Sequence, residues 1–134
     1  MSSTKKIDIS PIEGAIRNPD NSHHFMVLKQ VKHTVEFYHG DALLAKTNKA
    51  LRVIELGKSV YGPVLYIPTN DIVAPLNKLG KQSHCPLKGT ASYFAHDGEE
   101  IAWSYANPLY FATELANYYG FLISKTWIRE GKLN

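Results

Sequence analysis

The amino-acid sequence predicts a mainly β domain of the α+β class, with one short helix late in the chain. Fifteen aromatic residues, eight of them tyrosine, favour strands, and seven prolines with nine glycines favour tight connections. Apolar residues recur in short runs, several of which alternate with polar residues, and turn residues separate these runs. The chain does not alternate strands with helices as a parallel sheet would. We therefore expect roughly six to eight short strands.

The chain begins with a polar stretch that we assign to a flexible N-terminal tail, residues 1–17. A single domain is expected to follow over residues 18–134, because 134 residues is the size of one domain. Proline, glycine and asparagine residues punctuate the chain up to residue 24, which is typical of an irregular lead-in.

Strands are expected wherever a short apolar or alternating run ends at turn residues. The first half of the chain is predicted to hold five, over residues 25–31, 35–39, 42–47, 51–56 and 64–67. Gly40 and Asp41 lie between two of these runs and indicate a β-hairpin. Residues 69–81 lack such alternation and are predicted to form a loop that starts with one helical turn, because Thr69 or Asn70 can cap it.

The second half of the chain contains a hairpin signal followed by a helix signal. Two strand-like runs, residues 89–96 and 101–105, flank an Asp-Gly-Glu-Glu turn. Asn107 then offers an N-cap with proline behind it, and apolar residues at helical spacing continue to Gly120. The strand formers around that glycine favour instead a shorter helix and a last strand that begins near Tyr119.

Composition excludes several classes of protein. Fifteen basic and twelve acidic residues leave a net charge of +3, too small an excess to indicate a nucleic-acid partner. No apolar run approaches the roughly 20 residues of a membrane helix, and no apolar signal core follows Met1. One cysteine excludes a disulfide framework, and the scattered histidines indicate no metal site. We expect a cytoplasmic domain without metal or cofactor, whose oligomeric state the sequence does not give.

The segment around Cys85 and Lys88 is the densest in reactive side chains. Three lysines and one histidine, with no acid, lie between residues 76 and 89, a composition that suits a loop holding an anion. A solvated connection between strands is the alternative. Cys85 is a candidate nucleophile with His84 or a more distant histidine as base, or else a small buried apolar side chain.

Aromatic and charged residues supply the other candidates. Trp103 and Tyr105 lie two apart on one predicted strand and face one side, where they pack the core or wall a pocket. Arg52 and Glu55 lie three apart on another strand and therefore face opposite sides. Asp71 is a candidate functional carboxylate or a helix cap.

Five sequence segments carry a resemblance to a known family. In chain order they are Ala50–Glu55, Tyr66–Asp71, Cys85–Tyr93, Ala102–Pro108 and Gly120–Phe121. Together they resemble the domain-of-unknown-function family 427, over roughly residues 18 to 124. Leu87 departs from that pattern, because the family commonly has an aromatic residue there. The family carries a nucleotidyltransferase-like label, but the paired carboxylates that bind catalytic magnesium in such enzymes have no counterpart in this chain.

The resemblance implies a β-tent, in which two antiparallel sheets meet at an angle, similar to methionine sulfoxide reductase B and to the ligand-binding domain of cereblon. Relatives of that architecture often carry paired Cys-x-x-Cys zinc ligands, which a single cysteine cannot supply. The resemblance also favours one shared pocket for the polar and aromatic residues of the motifs. These predicted ligand-binding residues are Arg52, Glu55, Tyr66, Asp71, Lys88, Tyr93, Trp103 and Tyr105.

The function expected from these residues is the binding of a small molecule with an anionic or carbonyl group. Lys88 and Arg52 would hold that group against the aromatic wall, and Glu55 or Asp71 would accept hydrogen bonds. Two alternatives stand beside it. One is a thiol-dependent enzyme, redox or hydrolytic, with Cys85 as nucleophile. The other is a protein-interaction domain that uses an edge strand or exposed tyrosines.

Overall fold

A computed structural model of the chain describes residues 13–59 and 61–131. These residues form eleven strands in two antiparallel sheets. The strands are β1 (Ile16–Asn18), β2 (Asn21–Gln30), β3 (Val35–His39), β4 (Ala42–Thr47), β5 (Leu51–Leu56), β6 (Val64–Pro68), β7 (Asn77–Cys85), β8 (Gly89–His96), β9 (Glu99–Ser104), β10 (Tyr118–Phe121) and β11 (Trp127–Glu130). The expected mainly β fold with two antiparallel sheets is confirmed.

The larger sheet has eight strands in the order β1-β2-β5-β6-β10-β9-β8-β7. The smaller sheet has the order β11-β3-β4 and covers one face of the larger. Side chains from both sheets fill the space between them, among them Phe37 and Phe121, whose rings stack at 4.9 Å. Burying two such rings contributes several kcal/mol and fixes the sheets against each other (about 1.5–3 kcal/mol per ring).

The opposite face of the larger sheet holds a second apolar cluster. It is covered by the irregular segment between β9 and β10, which includes a short 3-10 helix over Tyr110–Leu115. Ala112 and Leu115 of that segment are fully buried, as is Leu87 from the loop between β7 and β8. The cluster therefore lies beneath chain segments with little regular structure, where side chains from distant strands converge.

Both predicted hairpins are confirmed. The first joins β3 to β4 at Gly40, and the second joins β8 to β9 at Asp97 and Gly98. In the first turn φ is positive at Gly40 (+59°), and in the second it is positive at both Asp97 (+53°) and Gly98 (+79°). Two-residue turns with positive φ at the first position or at both positions match the twist of the strands that they connect.

Two predicted irregular segments are strands instead. Residues 77–81, which we predicted as loop, begin β7, an edge strand that exposes most of its side chains and, among the described strands, pairs only with β8. An edge strand in water needs no apolar alternation, so the sequence carried no strand signal there. The predicted lead-in up to residue 24 is likewise wrong, because β1 and the start of β2 pair within it. The first part of the predicted tail, residues 1–12, lies outside the described residues.

The predicted late helix is shorter than its apolar spacing indicates. The helical turns end at Leu115 and are interrupted at Ala112, whose φ and ψ are −120° and 22°. Gly120 does not stop a helix but lies inside β10, the strand that the alternative prediction began near Tyr119. It is not the last strand, because β11 follows it. The helical turn predicted after β6 is present as a 3-10 turn over Thr69–Asp71. In the described part of the chain, no helix is both long and apolar enough to cross a membrane.

Candidate functional site

The candidate site is built around Glu55 at the end of β5. Alternation along this strand places Val53 and Glu55 on the face of the second apolar cluster and Arg52 on the other face. Glu55 pairs in register with Met26 on β2, which is fully buried. The carboxylate is consequently placed at the edge of an apolar environment, where it needs partners.

Lys88 reaches Glu55 from the loop between β7 and β8. Cys85 and Gly89 pair across this tight loop, and Gly89 has a φ of +119°. A Cβ at Gly89 would lie 3.3 Å from the backbone nitrogen of Leu109, so the glycine lets the loop approach the covering segment. The Leu109 backbone N–H donates to the Lys88 carbonyl at 2.9 Å, which holds the loop so that Leu87 and Lys88 point inward.

Lys88 and Glu55 form a buried ion pair. The Lys88 ammonium donates to Glu55 Oε1, and only 9% of the lysine side chain and 15% of the glutamate side chain are exposed. Burial by itself opposes ionisation of Glu55. The hydrogen bonds from Lys88 and then from His24 outweigh that effect, so the pKa of Glu55 lies below its ordinary value. The Glu55 carboxylate is therefore ionised at neutral pH.

His24 on β2 holds the second oxygen of the same carboxylate. Its Nε2 lies 2.8 Å from Glu55 Oε2, and its Nδ1 faces the Asn18 side-chain amide at 3.4 Å. The Asn18 Oδ1 accepts from the backbone N–H of Asp20, so its Nδ2 is the atom that donates to the imidazole. In this arrangement Nδ1 of His24 accepts from Asn18, and Nε2 carries the proton that is donated to Glu55.

Cys85 completes the polar cluster. Its Sγ, one ring nitrogen of His24 and one carboxylate oxygen of Glu55 all lie within 4.8 Å of one another. The thiol is partly buried and carries no disulfide. His84, its neighbour in sequence, is exposed and contacts Thr90 Oγ1 at 3.3 Å. The histidine beside Cys85 is therefore His24, the more distant one, and not His84.

An aromatic wall stands beside the polar cluster. The Trp103 indole N–H donates to the Tyr66 hydroxyl at 3.0 Å, and the two rings meet edge to face. Trp103 lies opposite Gly120 in the sheet, and a Cβ at Gly120 would fall 2.5 Å from the indole ring. The absence of a side chain at residue 120 thus creates the room in which Trp103 lies across β10.

Tyr105 and Tyr93 extend this wall. Tyr105 and Tyr66 lie in the same buried cluster, and burial raises the pKa of both phenols, with further increases from Glu55 and Cys85 nearby. Both hydroxyls thus stay protonated at neutral pH. Tyr93 pairs with Trp103 across β8 and β9, and its hydroxyl lies 2.6 Å from Ser83 Oγ. The wall thus combines apolar ring faces with hydroxyl and indole N–H groups that form hydrogen bonds.

The structure separates two predicted site residues from this cluster. Arg52 faces the smaller sheet and pairs with Glu130 on β11, which also binds His33 at 2.7 Å. Asp71 accepts from Thr47 Oγ1 at 2.6 Å beside β4. The sequence-based placement of Arg52 and Asp71 in the same pocket as Glu55 is therefore wrong, because strand alternation and the turn after β6 direct them to other surfaces.

Two contributors were missed at the sequence level, His24 and Asn18. Both lie in the segment that we took for an irregular lead-in, so no strand face was assigned to them. The informative signal is the position of His24, two residues before Met26 in a strand that pairs with β5. Once that pairing is known, alternation puts His24 and Glu55 on the same face.

The chain is thus a small β domain of two antiparallel sheets. It carries a buried ion pair on the face of the larger sheet that points away from the smaller one. The sequence profile of a protein family described as Domain of unknown function (DUF427) matches residues 27–129. The chain belongs to that family, which confirms the resemblance drawn from its motifs. His24 and Asn18 lie just before the matched residues. Among curated proteins, none matches the chain.

Proposed function

We propose that this domain binds a small organic molecule with an anionic or carbonyl group at the face where Lys88 and Glu55 meet. The observation that carries the proposal is the burial of Lys88 in an aromatic and apolar cluster. A buried ion pair seldom adds stability over apolar side chains of similar volume, since desolvation offsets its attraction. Buried titratable groups beside an aromatic wall are typical of binding sites.

The donors of Lys88 favour an oxygen-bearing ligand. Its ammonium carries three N–H bonds, and among the described residues its hydrogen-bond partner is Glu55. The remaining donors suit a carboxylate, phosphate or carbonyl oxygen, while Glu55 fixes the direction of the ammonium. Trp103, Tyr105 and Tyr93 would contact the flat or apolar part of the ligand.

Access to this wall is offered by a neighbouring cleft of about 210 Å³. Tyr105 lines the cleft together with Thr69 just after β6, the end of β9 and the start of β10. In the proposal a ligand enters between these strand ends and reaches Lys88 along the aromatic surface. A pocket of a few hundred Å³ accommodates a metabolite-sized molecule and not a protein segment.

Tryptophan fluorescence tests the proposal. The chain has two indoles, Trp103 in the site and Trp127. Trp127 lies on β11 in the smaller sheet, where its ring stacks on Tyr38 at 4.1 Å. Small carboxylates, phosphates and carbonyl compounds are screened against the wild type, Trp103→Phe and Trp127→Phe. We expect a saturable change that Trp103→Phe abolishes and Trp127→Phe retains.

The charge of Lys88 is then tested directly. Lys88→Met is expected to weaken binding at least tenfold, because it removes the charged donor. The matched control is Lys78→Met, which removes an exposed lysine of β7 and should bind as the wild type does. Equal affinity in the wild type and Lys88→Met would contradict the proposal, as would a screen in which no compound of these classes changes Trp103 fluorescence.

A second candidate function, thiol chemistry at Cys85, is favoured by one observation. A ring nitrogen of His24 lies within 4.8 Å of the Cys85 sulfur, so the imidazole would accept the thiol proton once that nitrogen is released from its present partner, Glu55 or Asn18. The test compares the rate of iodoacetamide labelling at mildly acidic pH in the wild type, His24→Gln and the control His84→Gln. Labelling faster than that of free cysteine, and slowed only by His24→Gln, is the expected result. A rate equal to that of free cysteine would exclude an activated nucleophile.

A further inference from the structure

We infer that His24, Glu55 and Cys85 form a binding site for one divalent transition-metal ion of the zinc type. The three side chains offer an imidazole nitrogen, a carboxylate oxygen and a thiol sulfur that lie within 4.8 Å of one another. They come from β2, β5 and the end of β7, so the sheet and the loop that follows hold them together. From the sequence we expected no metal site, because these three residues lie far apart in the chain and form no local ligand pattern.

The spacing of the three atoms suits a tetrahedral ion. Ligands about 2.0–2.3 Å from zinc stand roughly 3.3–3.8 Å apart around it. His24 Nε2 and Glu55 Oε2 are 2.8 Å apart, so an ion that replaces the proton between them moves each by less than about 1 Å. Because the three are partly buried, their positions are already restricted by packing.

The chemistry of the donors indicates which metal. A mixture of nitrogen, oxygen and sulfur suits zinc, and cobalt as its spectroscopic substitute, whereas magnesium and calcium prefer oxygen ligands alone. Three protein ligands leave the fourth tetrahedral position for water or for an oxygen of another molecule, as in catalytic zinc sites. The inferred site is thus open and not closed.

Neighbouring polar groups contact both His24 and Glu55. Nδ1 of His24 faces the buried Asn18 amide. When an ion occupies Nε2 the ring proton lies on Nδ1, and the amide has to turn over and release its bond from the Asp20 N–H to accept that proton. Lys88 holds Oε1 of Glu55 and leaves Oε2 for the ion. The ammonium also repels a cation. Lys88 therefore lowers the affinity for the metal, although it orients the Glu55 carboxylate that would bind it.

This inference is independent of the proposed organic ligand, and Lys88 separates the two. Loss of the ammonium removes a donor from an oxygen-bearing ligand, whereas it removes a like charge from the neighbourhood of the metal. Lys88→Met should therefore weaken binding of the organic ligand and tighten binding of the metal by roughly tenfold. Failure of one proposal leaves the other standing.

The experiment uses the full chain, stripped with a chelator and titrated with Zn²⁺ and with Co²⁺. We expect one equivalent of either ion, with a thiolate-to-cobalt charge-transfer absorption in the near ultraviolet. Cys85→Ser should abolish that absorption, and His24→Gln should lower Zn²⁺ affinity at least tenfold. The controls are His84→Gln and His23→Gln, which remove exposed histidines next to these ligands and should bind as the wild type does.

The same titration gives the results that overturn the inference. The inference is overturned if the wild type binds neither Zn²⁺ nor Co²⁺ stoichiometrically. It is also overturned if the cobalt complex of Cys85→Ser keeps the charge-transfer absorption. Loss of binding in His84→Gln would identify an adventitious surface site and also count against it. Circular dichroism on each variant identifies one that fails to fold. Because Cys85→Ser changes a single atom, it keeps the test decisive if His24→Gln unfolds.

Discussion

Substituting Gly120 by alanine should destabilise the domain through Trp103. The new Cβ would lie 2.5 Å and 2.6 Å from two atoms of the indole ring, whereas carbon atoms in contact stand about 3.5–4.0 Å apart. The ring must therefore move by about 1 Å, and the 3.0 Å hydrogen bond from Trp103 to the buried Tyr66 hydroxyl lengthens beyond bonding distance.

The magnitude follows from three contributions. Overpacking of this kind costs about 1–3 kcal/mol, and loss of the hydrogen bond costs about 0.5–1.5 kcal/mol. Alanine restricts the unfolded chain more than glycine does, and this effect stabilises the folded state by about 0.4–1 kcal/mol. The free energy of unfolding should fall by about 0.5 to 4 kcal/mol in Gly120→Ala.

Urea denaturation followed by circular dichroism measures this change. The matched control is Gly80→Ala in β7, where an added Cβ meets no atom within 4 Å, and its unfolding free energy should stay within about 0.5 kcal/mol of the wild type. In a Trp103→Val background, Gly120→Ala should cost less, because the ring is gone. An equal cost in both backgrounds would refute the reasoning, as would a cost under 0.5 kcal/mol in the wild type (a surface-like value).

Three further predictions concern the buried cluster. Leu87→Ala should lower the unfolding free energy by about 2–5 kcal/mol in denaturant titrations, since the side chain is fully buried. Glu55→Leu or Lys88→Met alone should cost about 3–5 kcal/mol, while the double variant should recover most of that loss, which a double-mutant cycle measures. Because folding lowers the pKa of Glu55, its ion pair stabilises the protein at pH values above 4.5 and loses that contribution as the pH falls through the folded pKa. Stability measured against pH should therefore decline less steeply on the acid side in Glu55→Gln, and an unchanged slope would contradict this assignment.

Local sequence signals predicted the parts of the fold that local chemistry decides. The Gly40 and Asp97–Gly98 turns follow from residues that tolerate positive φ, and alternation along β5 correctly placed Arg52 and Glu55 on opposite faces. The β7 strand escaped prediction because pairing with β8, and not burial, defines an edge strand. The predicted late helix was too long. Its apolar residues belong in part to a 3-10 helix that covers the second apolar cluster and ends before β10.

The candidate site could be predicted only in part for a related reason. Motif residues identified Glu55, Lys88 and the aromatic wall, which the structure brings together. Neither His24 nor its approach to Cys85 follows from local pattern, because strand order in the sheet decides which distant residues meet. Asp71 illustrates the same limit, since the turn after β6 directs it to Thr47.

The wide separation in sequence of the site residues has a consequence for folding. His24 and Glu55 are 31 residues apart, and Glu55 and Lys88 are 33 apart, so their contacts close long loops. Domains dominated by such non-local pairings fold slowly, on the millisecond-to-second scale, because loop entropy is lost before contacts compensate for it. The site forms only when β2, β5 and the β7–β8 loop have assembled. A molecule or ion bound there will slow unfolding of the whole sheet, and the unfolding rate becomes a sensitive reporter of occupancy.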